Sequence, residues 1–106
     1  MKNNENEMQQ SIKTGIYKIT NPNGKVYIGQ SIDIDKRWNK YKVKNCKPQI
    51  RLYNSLNKYK PENHVFEVIE KCLLEQLNER EIYWIEKLKC VENGLNIRKM
   101  FTNTDY

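Results

Sequence analysis

The sequence is short of the residues that build metal clusters and disulfide frameworks. It has three cysteines, an odd number with no Cys-x-x-Cys pair, and one histidine, His64. Neither a disulfide framework nor a zinc site is indicated, and unpaired cysteines are typical of a reducing, intracellular compartment. Because His64 has no second histidine or acidic cluster beside it, we interpret it as the start of a strand rather than as a catalyst.

Long apolar segments are also missing. No apolar run approaches the length of a membrane-spanning helix, and residues 1–5 lack the apolar core of a signal peptide. These absences predict a cytoplasmic protein that does not contact a membrane. With 106 residues, the chain has room for one domain with a modest core. Residues 1–12 and 99–106 lack apolar periodicity and predict a flexible arm and a flexible tail, which leaves residues 13–98 for the folded domain.

Acidic residues are absent from residues 36–60, a segment that holds nine lysines and arginines and is called the basic block below. Residues 62–92 reverse the balance, with eight acidic and four basic residues. A net charge of +6 placed so unevenly is typical of a surface that binds nucleic-acid phosphates. A lysine-rich surface that is only solvated remains the alternative. The candidate nucleic-acid contacts are Lys36, Lys40, Lys44 and Lys47.

Two segments rich in Ile, Val and Tyr predict a β-hairpin over residues 15–29. The sequence Asn-Pro-Asn-Gly at residues 21–24 is a strong turn signal between them. Ser31 or Asp33 then caps a helix, whose apolar residues recur at i, i+4 and i+7 from Ile34 onward.

The remainder predicts one more strand and two more helices. Pro48 begins a helix that ends at Pro61. Residues 64–70 form a strand with apolar residues on both faces, which we expect to be covered on both, and a long amphipathic helix follows over residues 74–89. The order ββααβα indicates an α+β, or mixed α/β, domain in which helices pack on a small antiparallel sheet.

Glu81 lies in the middle of the apolar stripe of the last predicted helix. A buried carboxylate without a partner is costly, so Glu81 either pairs with a cation such as Arg37 or binds a metal ion at the floor of a cleft. Both interpretations stay open. The apolar residues on either side of Glu81 on the helical wheel are Leu74, Leu77, Ile85 and Leu88.

Tyrosines adjoin glycines at the two ends of the hairpin, in Gly15-Ile16-Tyr17 and Tyr27-Ile28-Gly29. A glycine lets backbone or a ligand approach a strand closely, and a phenol donates or accepts a proton. The two tyrosines can belong to a single site only if they lie on the same face of the sheet. In an antiparallel hairpin this needs a loop with an odd number of residues or a β-bulge. Arg37 borders the inward face of the first helix. Its guanidinium group is planar and always charged, so it can donate paired hydrogen bonds to a phosphate.

Asn96 follows Gly94 in a short extended segment, residues 95–97. Because side chains alternate in extended chain, we expect Asn96 to point away from the face that Leu95 and Ile97 bury. Its amide then binds a phosphate or orients a carboxylate; alternatively, it satisfies a turn near Gly94.

These motifs, taken in order, resemble those of the GIY-YIG nuclease family and are most similar to its homing endonuclease branch. The resemblance spans residues 14–98. The matching segments are Gly15-Ile16-Tyr17, Tyr27-Ile28-Gly29, Lys36-Arg37-Trp38, Glu79-Arg80-Glu81-Ile82-Tyr83-Trp84 and Gly94-Leu95-Asn96.

The resemblance implies a three-stranded antiparallel sheet flanked by helices, and cleavage of DNA that depends on Mg²⁺, with Mn²⁺ as a substitute. It implies that Tyr17 or Tyr27 activates the attacking water, with its pKa lowered by nearby cations. It also implies that Arg37 holds the scissile phosphate, that Glu81 is the sole protein ligand of the metal, and that Asn96 supports the site.

The chain departs from the homing branch at one position. Homing members often carry a histidine one helical turn after the arginine, where this chain has Tyr41. Since the ordinary pKa of a phenol is near 10, turnover near neutral pH is expected to differ. Tyr41 is either a third functional tyrosine or a core residue. Two further alternatives to the enzyme are a catalytically silent nucleic-acid-binding module of the same fold and a small basic protein of a ribonucleoprotein assembly.

Overall fold

The computed structural model describes residues 13–97, so the predicted arm (residues 1–12) and tail (residues 99–106) lie outside the described residues. Within that range, no helix is long and apolar enough to cross a membrane. The elements are β1 (Gly15–Thr20), β2 (Val26–Ser31), α1 (Ile34–Lys42), α2 (Ile50–Tyr59), a 3-10 turn (Pro61–Asn63), β3 (Val65–Lys71), a second 3-10 turn (Leu74–Gln76), α3 (Leu77–Lys87) and the short α4 (Cys90–Asn93).

The hairpin turn pairs β1 with β2 in the register that puts Tyr17 and Tyr27 on the same face of the sheet. Asn21 N–H donates to the Lys25 carbonyl at 2.9 Å, and Gly24 N–H donates back to the Asn21 carbonyl at 2.9 Å. Gly24 has φ 81°, a left-handed conformation that glycine adopts without steric cost. An odd number of residues lies between Asn21 and Lys25, so Tyr17 pairs with Gly29 and Tyr27 pairs with Ile19. The two tyrosines therefore share one face, as predicted.

The sheet is antiparallel, with strand order β2-β1-β3, and each face is covered by its own helices. Apolar side chains of α1 and α2 pack on the face that carries Tyr17, Ile19 and Tyr27. Those of α3 and α4 pack on the opposite face, against Ile16 and Ile28. The predicted three-stranded α+β fold is confirmed.

The start of α1 shows which predicted residue caps it. The side chain of Asp33 accepts from Lys36 N–H at 3.3 Å, which satisfies one of the unpaired donors of the first turn. Ser31 instead accepts from Asp33 N–H at 2.9 Å and so holds the capping residue in place. The second predicted helix starts at Ile50 with Gln49 as its cap, so Pro48 lies in the turn before the helix rather than at its first position.

The prediction that β3 is covered on both faces is confirmed only in part: Phe66 and Val68 pack on the side of Tyr17 and Ile69 packs on the side of Ile16, but no residue of β3 is fully buried. β3 is an edge strand that pairs only with β1, and its Val65 is 55% exposed. Ordinary alternation explains the apolar residues on both faces, because Val68 pairs with Tyr17 on one face and the next residue, Ile69, packs with Ile16 on the other. A β-bulge then places Glu70 opposite Ile16, on the same side as Ile69. The apolar pattern cannot show a strand's position in the sheet, which depends on pairing with a distant segment.

The helix predicted over residues 74–89 is shorter than expected. Its first turn is a 3-10 turn, in which a tighter winding rotates Leu74 away from the apolar stripe and leaves it 63% exposed. Leu88 follows the last turn of α3 and is 37% exposed. The buried part of the stripe consists of Leu77 and Glu81, so the predicted burial of Glu81 is confirmed.

Candidate active site

Tyr17 and Tyr27 meet on the sheet face that α1 and α2 cover. Tyr17 is fully buried and Tyr27 is 9% exposed. Their ring centroids are 6.4 Å apart and the rings are tilted by 37°. The hairpin alone brings the two phenols together, because the pairing of β1 with β2 places them diagonally on the same face.

A third tyrosine completes the group. Tyr41, from α1, is 1% exposed, and its hydroxyl shares a hydrogen bond with that of Tyr17, with 2.5 Å between the oxygens. Its ring centroid lies 6.0 Å from that of Tyr17 and 6.2 Å from that of Tyr27. Tyr41 is therefore a core residue, and its hydroxyl lies beside that of Tyr17; a functional role for it stays a prediction.

Arg37 brings a cation to the same place. It lies one helical turn before Tyr41 on α1, within electrostatic reach of Tyr41 and Tyr17. Burial acts to lower the pKa of Arg37, while its interactions with these tyrosines raise it, and the net direction is upward. Arg37 is thus charged at any working pH, and its guanidinium group lies beside the hydroxyls of Tyr17 and Tyr41.

The pKa values of the hairpin tyrosines shift opposite to our expectation. Burial raises the pKa of Tyr17 well above its ordinary value, and Tyr41 and Tyr27 add to the shift. Burial, followed by Tyr41 and Glu81, raises the pKa of Tyr27. Arg37 acts to lower both values, but its effect is smaller. The predicted lowering was wrong for the protein alone, and both phenols are protonated near neutral pH.

Glu81 approaches this group from α3, on the other side of the sheet. Its exposed fraction is 8%, and its Oε1 accepts a hydrogen bond from Gln30 Nε2 at 2.7 Å. Its charge raises the pKa of Tyr27, so the carboxylate is within electrostatic reach of the tyrosines. The structure thus brings Tyr17, Tyr27, Tyr41, Arg37 and Glu81 into one region, as predicted.

Asn96 is buried, and its two neighbours do not bury one face together. Leu95 is 7% and Asn96 is 6% exposed, whereas Ile97 is 40% exposed, so the prediction that Leu95 and Ile97 share a buried face was wrong. The side chain of Asn96 accepts from Ile28 N–H at 2.8 Å and donates to the Ile28 carbonyl at 3.0 Å. It therefore bonds the backbone of β2 as a neighbouring strand would, between Tyr27 and Gly29. This holds the strand, and contact with a phosphate or a carboxylate remains only a prediction.

All these residues lie within the range matched by one family model. Residues 13–96 match the model of the GIY-YIG catalytic domain. The chain belongs to the GIY-YIG family. Its triplets at the two ends of the hairpin are those that name the family, and its structure shows that they place two phenols on one sheet face.

Known relatives of this GIY-YIG domain are intron and homing endonucleases. Intron-associated endonuclease 1 of Enterobacteria phage T4 is 39% identical over 94 residues, which are 81% of this chain and 37% of that relative. The chain thus spans little more than a third of that protein's length. A structure of the catalytic domain of homing endonuclease I-TevI has a TM-score of 0.69 at 34% identity, covering 82% of this chain and all of that one. A mutant of the I-TevI catalytic domain has a TM-score of 0.72 at 31% identity, covering 87% of this chain and all of that one.

The four candidate lysines of this GIY-YIG domain lie on its surface. Lys36, Lys40, Lys44 and Lys47 are all exposed. Arg51, also in the basic block, has a different role, because it donates to the carbonyls of Val91 and Asn96, both at 2.8 Å. Its guanidinium ties α2 to the segment that carries Asn96.

Sequence reasoning missed the partners that hold the site residues in place. Gln30 contacts Glu81, and only its position directly after Gly29 could have drawn attention to it. Glu70 on β3 accepts from Arg80 Nε at 2.9 Å and from Trp84 Nε1 at 2.8 Å, and these hydrogen bonds, first that of Trp84, lower its pKa. This cluster holds α3, and with it Glu81, against the sheet.

Proposed function

We propose that this domain is a metal-dependent DNA endonuclease that hydrolyses phosphodiester bonds. The observation that carries the proposal is the hydrogen-bonded pair of Tyr17 and Tyr41 hydroxyls, with Arg37 one helical turn before Tyr41 and within electrostatic reach of both. A cation that suits a phosphate and phenols that can move a proton are thereby placed in one site. The influence of Glu81 on the pKa of Tyr27 connects a carboxylate to the same site.

The donor set fits Mg²⁺, with Mn²⁺ as a substitute. Among residues 13–97, no group of three or more His, Cys, Asp or Glu side chains could hold a metal ion, which argues against a protein cage such as a zinc site. A buried carboxylate restrained by the neutral amide of Gln30 fits an ion that keeps most of its own waters. Glu81 would hold the ion, which when bound supplies positive charge beside the reacting phosphate.

The protein's own residues would then have separate roles in the reaction. Arg37 holds the scissile phosphate and stabilises the negative charge that develops on it in the transition state. One of Tyr17 and Tyr27 accepts the proton of the attacking water. Burial keeps both phenols protonated in the protein alone, so the accepting phenol must first lose its own proton to solvent. The charge of Arg37 acts to lower both pKa values and so favours the phenolate, which then takes the proton of the water. Asn96 supports this arrangement by fixing β2 at Ile28.

The substrate would bind along the exposed lysines of the basic block. Lys36, Lys40, Lys44 and Lys47 lie on α1 and in the segment after it, and each can contact a phosphate of DNA. We also propose that the protein works in the cytoplasm without contact to a membrane. A catalytically silent nucleic-acid-binding module of the same fold is the second candidate, and the raised pKa values of Tyr17 and Tyr27 favour it.

A plasmid-nicking assay separates the two candidates. Supercoiled DNA is incubated with the protein in Mg²⁺, in Mn²⁺ and in EDTA, beside gel shifts on DNA and on RNA. The endonuclease nicks DNA only when metal is present, and Arg37→Ala removes the nicking. A protein that shifts DNA in the gel but never nicks it is the silent module. A preference for RNA without cleavage would favour the ribonucleoprotein alternative instead.

A further inference from the structure

Gln30 makes two hydrogen bonds to α3 through one nitrogen. Its Nε2 donates to Oε1 of Glu81 at 2.7 Å and to Oδ1 of Asn78 at 2.8 Å. Gln30 is the residue after Gly29 on β2, and Asn78 lies three residues before Glu81, on the same side of α3. These bonds therefore connect the strand of the site directly to the helix that carries its carboxylate.

The orientation of the Gln30 amide follows from its partners. An ionised carboxylate only accepts hydrogen bonds, so the nitrogen of the amide, not the oxygen, must face Glu81. The second N–H of that nitrogen is used by Asn78, which presents its own amide oxygen. Both donors of Nε2 are thus occupied, and rotation of the Gln30 amide would break both hydrogen bonds.

The neutral charge of Gln30 matters as much as its geometry. A lysine or arginine at residue 30 would also restrain Glu81, but its positive charge would repel a metal cation bound to the carboxylate. A neutral donor restrains the carboxylate and leaves its negative charge for the metal. Partners of this kind set the orientation of metal ligands and are worth about 10- to 100-fold in metal affinity.

We propose that Gln30 is a positioning residue for Glu81, which fixes the orientation in which the carboxylate binds the metal ion. This inference rests on the proposed function. Asn78 has the supporting role, because it fixes the amide of Gln30 and through it the carboxylate. The role predicts that Gln30 affects metal affinity more than it affects the maximal rate of cleavage.

The test is a metal titration of Gln30→Met, which keeps the length of the side chain and removes its donors. Two readouts are measured: Mn²⁺ binding to the DNA-free protein by electron paramagnetic resonance, and the dependence of plasmid nicking on Mg²⁺ concentration. We expect Mn²⁺ affinity to fall about tenfold and the Mg²⁺ midpoint to rise by the same factor. The nicking rate at saturating Mg²⁺ should stay within about threefold of the parent, which a simple loss of structure would not produce.

Two further variants complete the design. Asn78→Ala keeps the bond between Gln30 and Glu81, so it should shift the midpoint in the same direction by a smaller factor. Asn63→Ala removes a surface amide that donates to the Tyr59 carbonyl, and it should leave metal binding unchanged. Gln30→Ala repeats the measurement, and failure of both Gln30 variants to fold would mark Gln30 as structural and reject the positioning role.

The remaining outcomes separate the inference from the proposed function. If the parent binds Mn²⁺ and nicks DNA, but a folded Gln30 variant has an unchanged midpoint, the inference alone is rejected. If the parent neither binds metal nor nicks DNA, the proposed function is rejected, and the role of Gln30 with it. A tenfold shift in both readouts with a near-normal saturating rate supports both.

Discussion

The hydroxyl of Tyr17 lies against Gly29, in the space that a β-carbon on residue 29 would occupy. The two residues pair across β1 and β2, so the contact follows from the register of the hairpin. The glycine of the second triplet is therefore required by the tyrosine of the first, and the two motifs are parts of one packing arrangement rather than independent features.

This contact predicts the effect of Gly29→Ala. Tyr17 is fully buried and hydrogen-bonded to Tyr41, so it cannot move aside without disturbing the site. We expect a loss of about 1–3 kcal/mol in the free energy of unfolding, as for other overpacked positions, and a loss of most nicking activity. Chemical denaturation and the plasmid assay measure the two effects.

Tyr17→Leu provides the control for this prediction. Ring carbons of Tyr17 fill the space of that β-carbon as well as the hydroxyl does, so the whole ring must be removed. Gly29→Ala should then cost less stability when it is combined with Tyr17→Leu than when it is made alone, a coupling that a double-mutant cycle measures. Equal costs in both backgrounds, or a Gly29→Ala protein as active as the parent, would contradict a close contact between Tyr17 and Gly29.

The hairpin could be predicted because its turn signal at residues 21–24 is local. The length of its loop could not, so the shared face of Tyr17 and Tyr27 was predicted only as a condition of one site, and the odd loop of the structure meets that condition. The burial of Glu81 was equally readable, since helical periodicity within α3 decides which side a residue takes.

The partners of these residues could not be predicted, because they come from distant parts of the chain. The backbone of Ile28 meets the side chain of Asn96, and Gln30 meets Glu81, only after α3 has packed on the sheet. Spacing within Leu95-Asn96-Ile97 suggested alternation, but the segment is held by hydrogen bonds to β2 that no local pattern encodes. The pKa directions of the tyrosines were missed for the same reason, since burial depends on the whole fold.

A second prediction concerns Glu81→Gln. The substitution keeps an oxygen that can accept from Gln30 and removes the negative charge that a magnesium ion requires. We expect the variant to fold, with a melting temperature in the absence of metal equal to or above that of the parent, because a buried charge has been removed. It should bind DNA at least as tightly and lose nearly all cleavage.

The Glu81→Gln variant also tests the alternative interpretation, in which Glu81 forms an ion pair with Arg37. If Glu81 served mainly to neutralise Arg37, its substitution would leave a partly buried cation unpaired and cost roughly 3–5 kcal/mol. Glu79→Gln, on the exposed side of the same helix, is the matched control and should change neither melting nor cleavage. Persistent cleavage by Glu81→Gln, or its failure to fold, rejects the metal-ligand role.

A third prediction concerns acid stability and His64. A carbonyl only accepts, so His64 Nδ1 donates to the Lys60 carbonyl at 2.9 Å and Nε2 accepts from the Ser55 hydroxyl at 2.8 Å. Ser55 in turn accepts from Asn21 in the hairpin turn at 3.1 Å. Burial lowers the pKa of His64, although the hydrogen bond to Lys60 acts in the opposite direction.

The sign of the effect follows from the lowered pKa. Below about pH 6.5, the ordinary pKa of histidine, the unfolded chain binds a proton that the folded protein resists. Stability is therefore complete above that pH and falls as the pH is lowered through the folded pKa. Melting curves from pH 8 to pH 5 should show this loss for the parent and a flatter profile for His64→Gln. Parallel profiles would show that His64 does not contribute.

The fourth prediction concerns Tyr41. Tyr41→Phe keeps the ring in the core and removes the hydroxyl that bonds to Tyr17, so the fold should persist with a small loss of stability. If Tyr41 takes part in moving a proton, saturating nicking should fall by about 100-fold or more, as for other proton-transfer groups.

The pH profile provides the sharper readout for Tyr41→Phe. Tyr41 is among the groups that raise the pKa of Tyr17 and of Tyr27, so its removal should lower both values. Any rise in nicking rate that depends on phenol ionisation should then begin at lower pH in the variant. Tyr53→Phe, which alters a half-buried tyrosine that packs against the same core from α2, is the matched control and should leave rate and profile unchanged. If Tyr41→Phe nicks DNA at the parental rate with the parental profile, Tyr41 is a core residue alone, and the proton must leave Tyr17 or Tyr27 by another route.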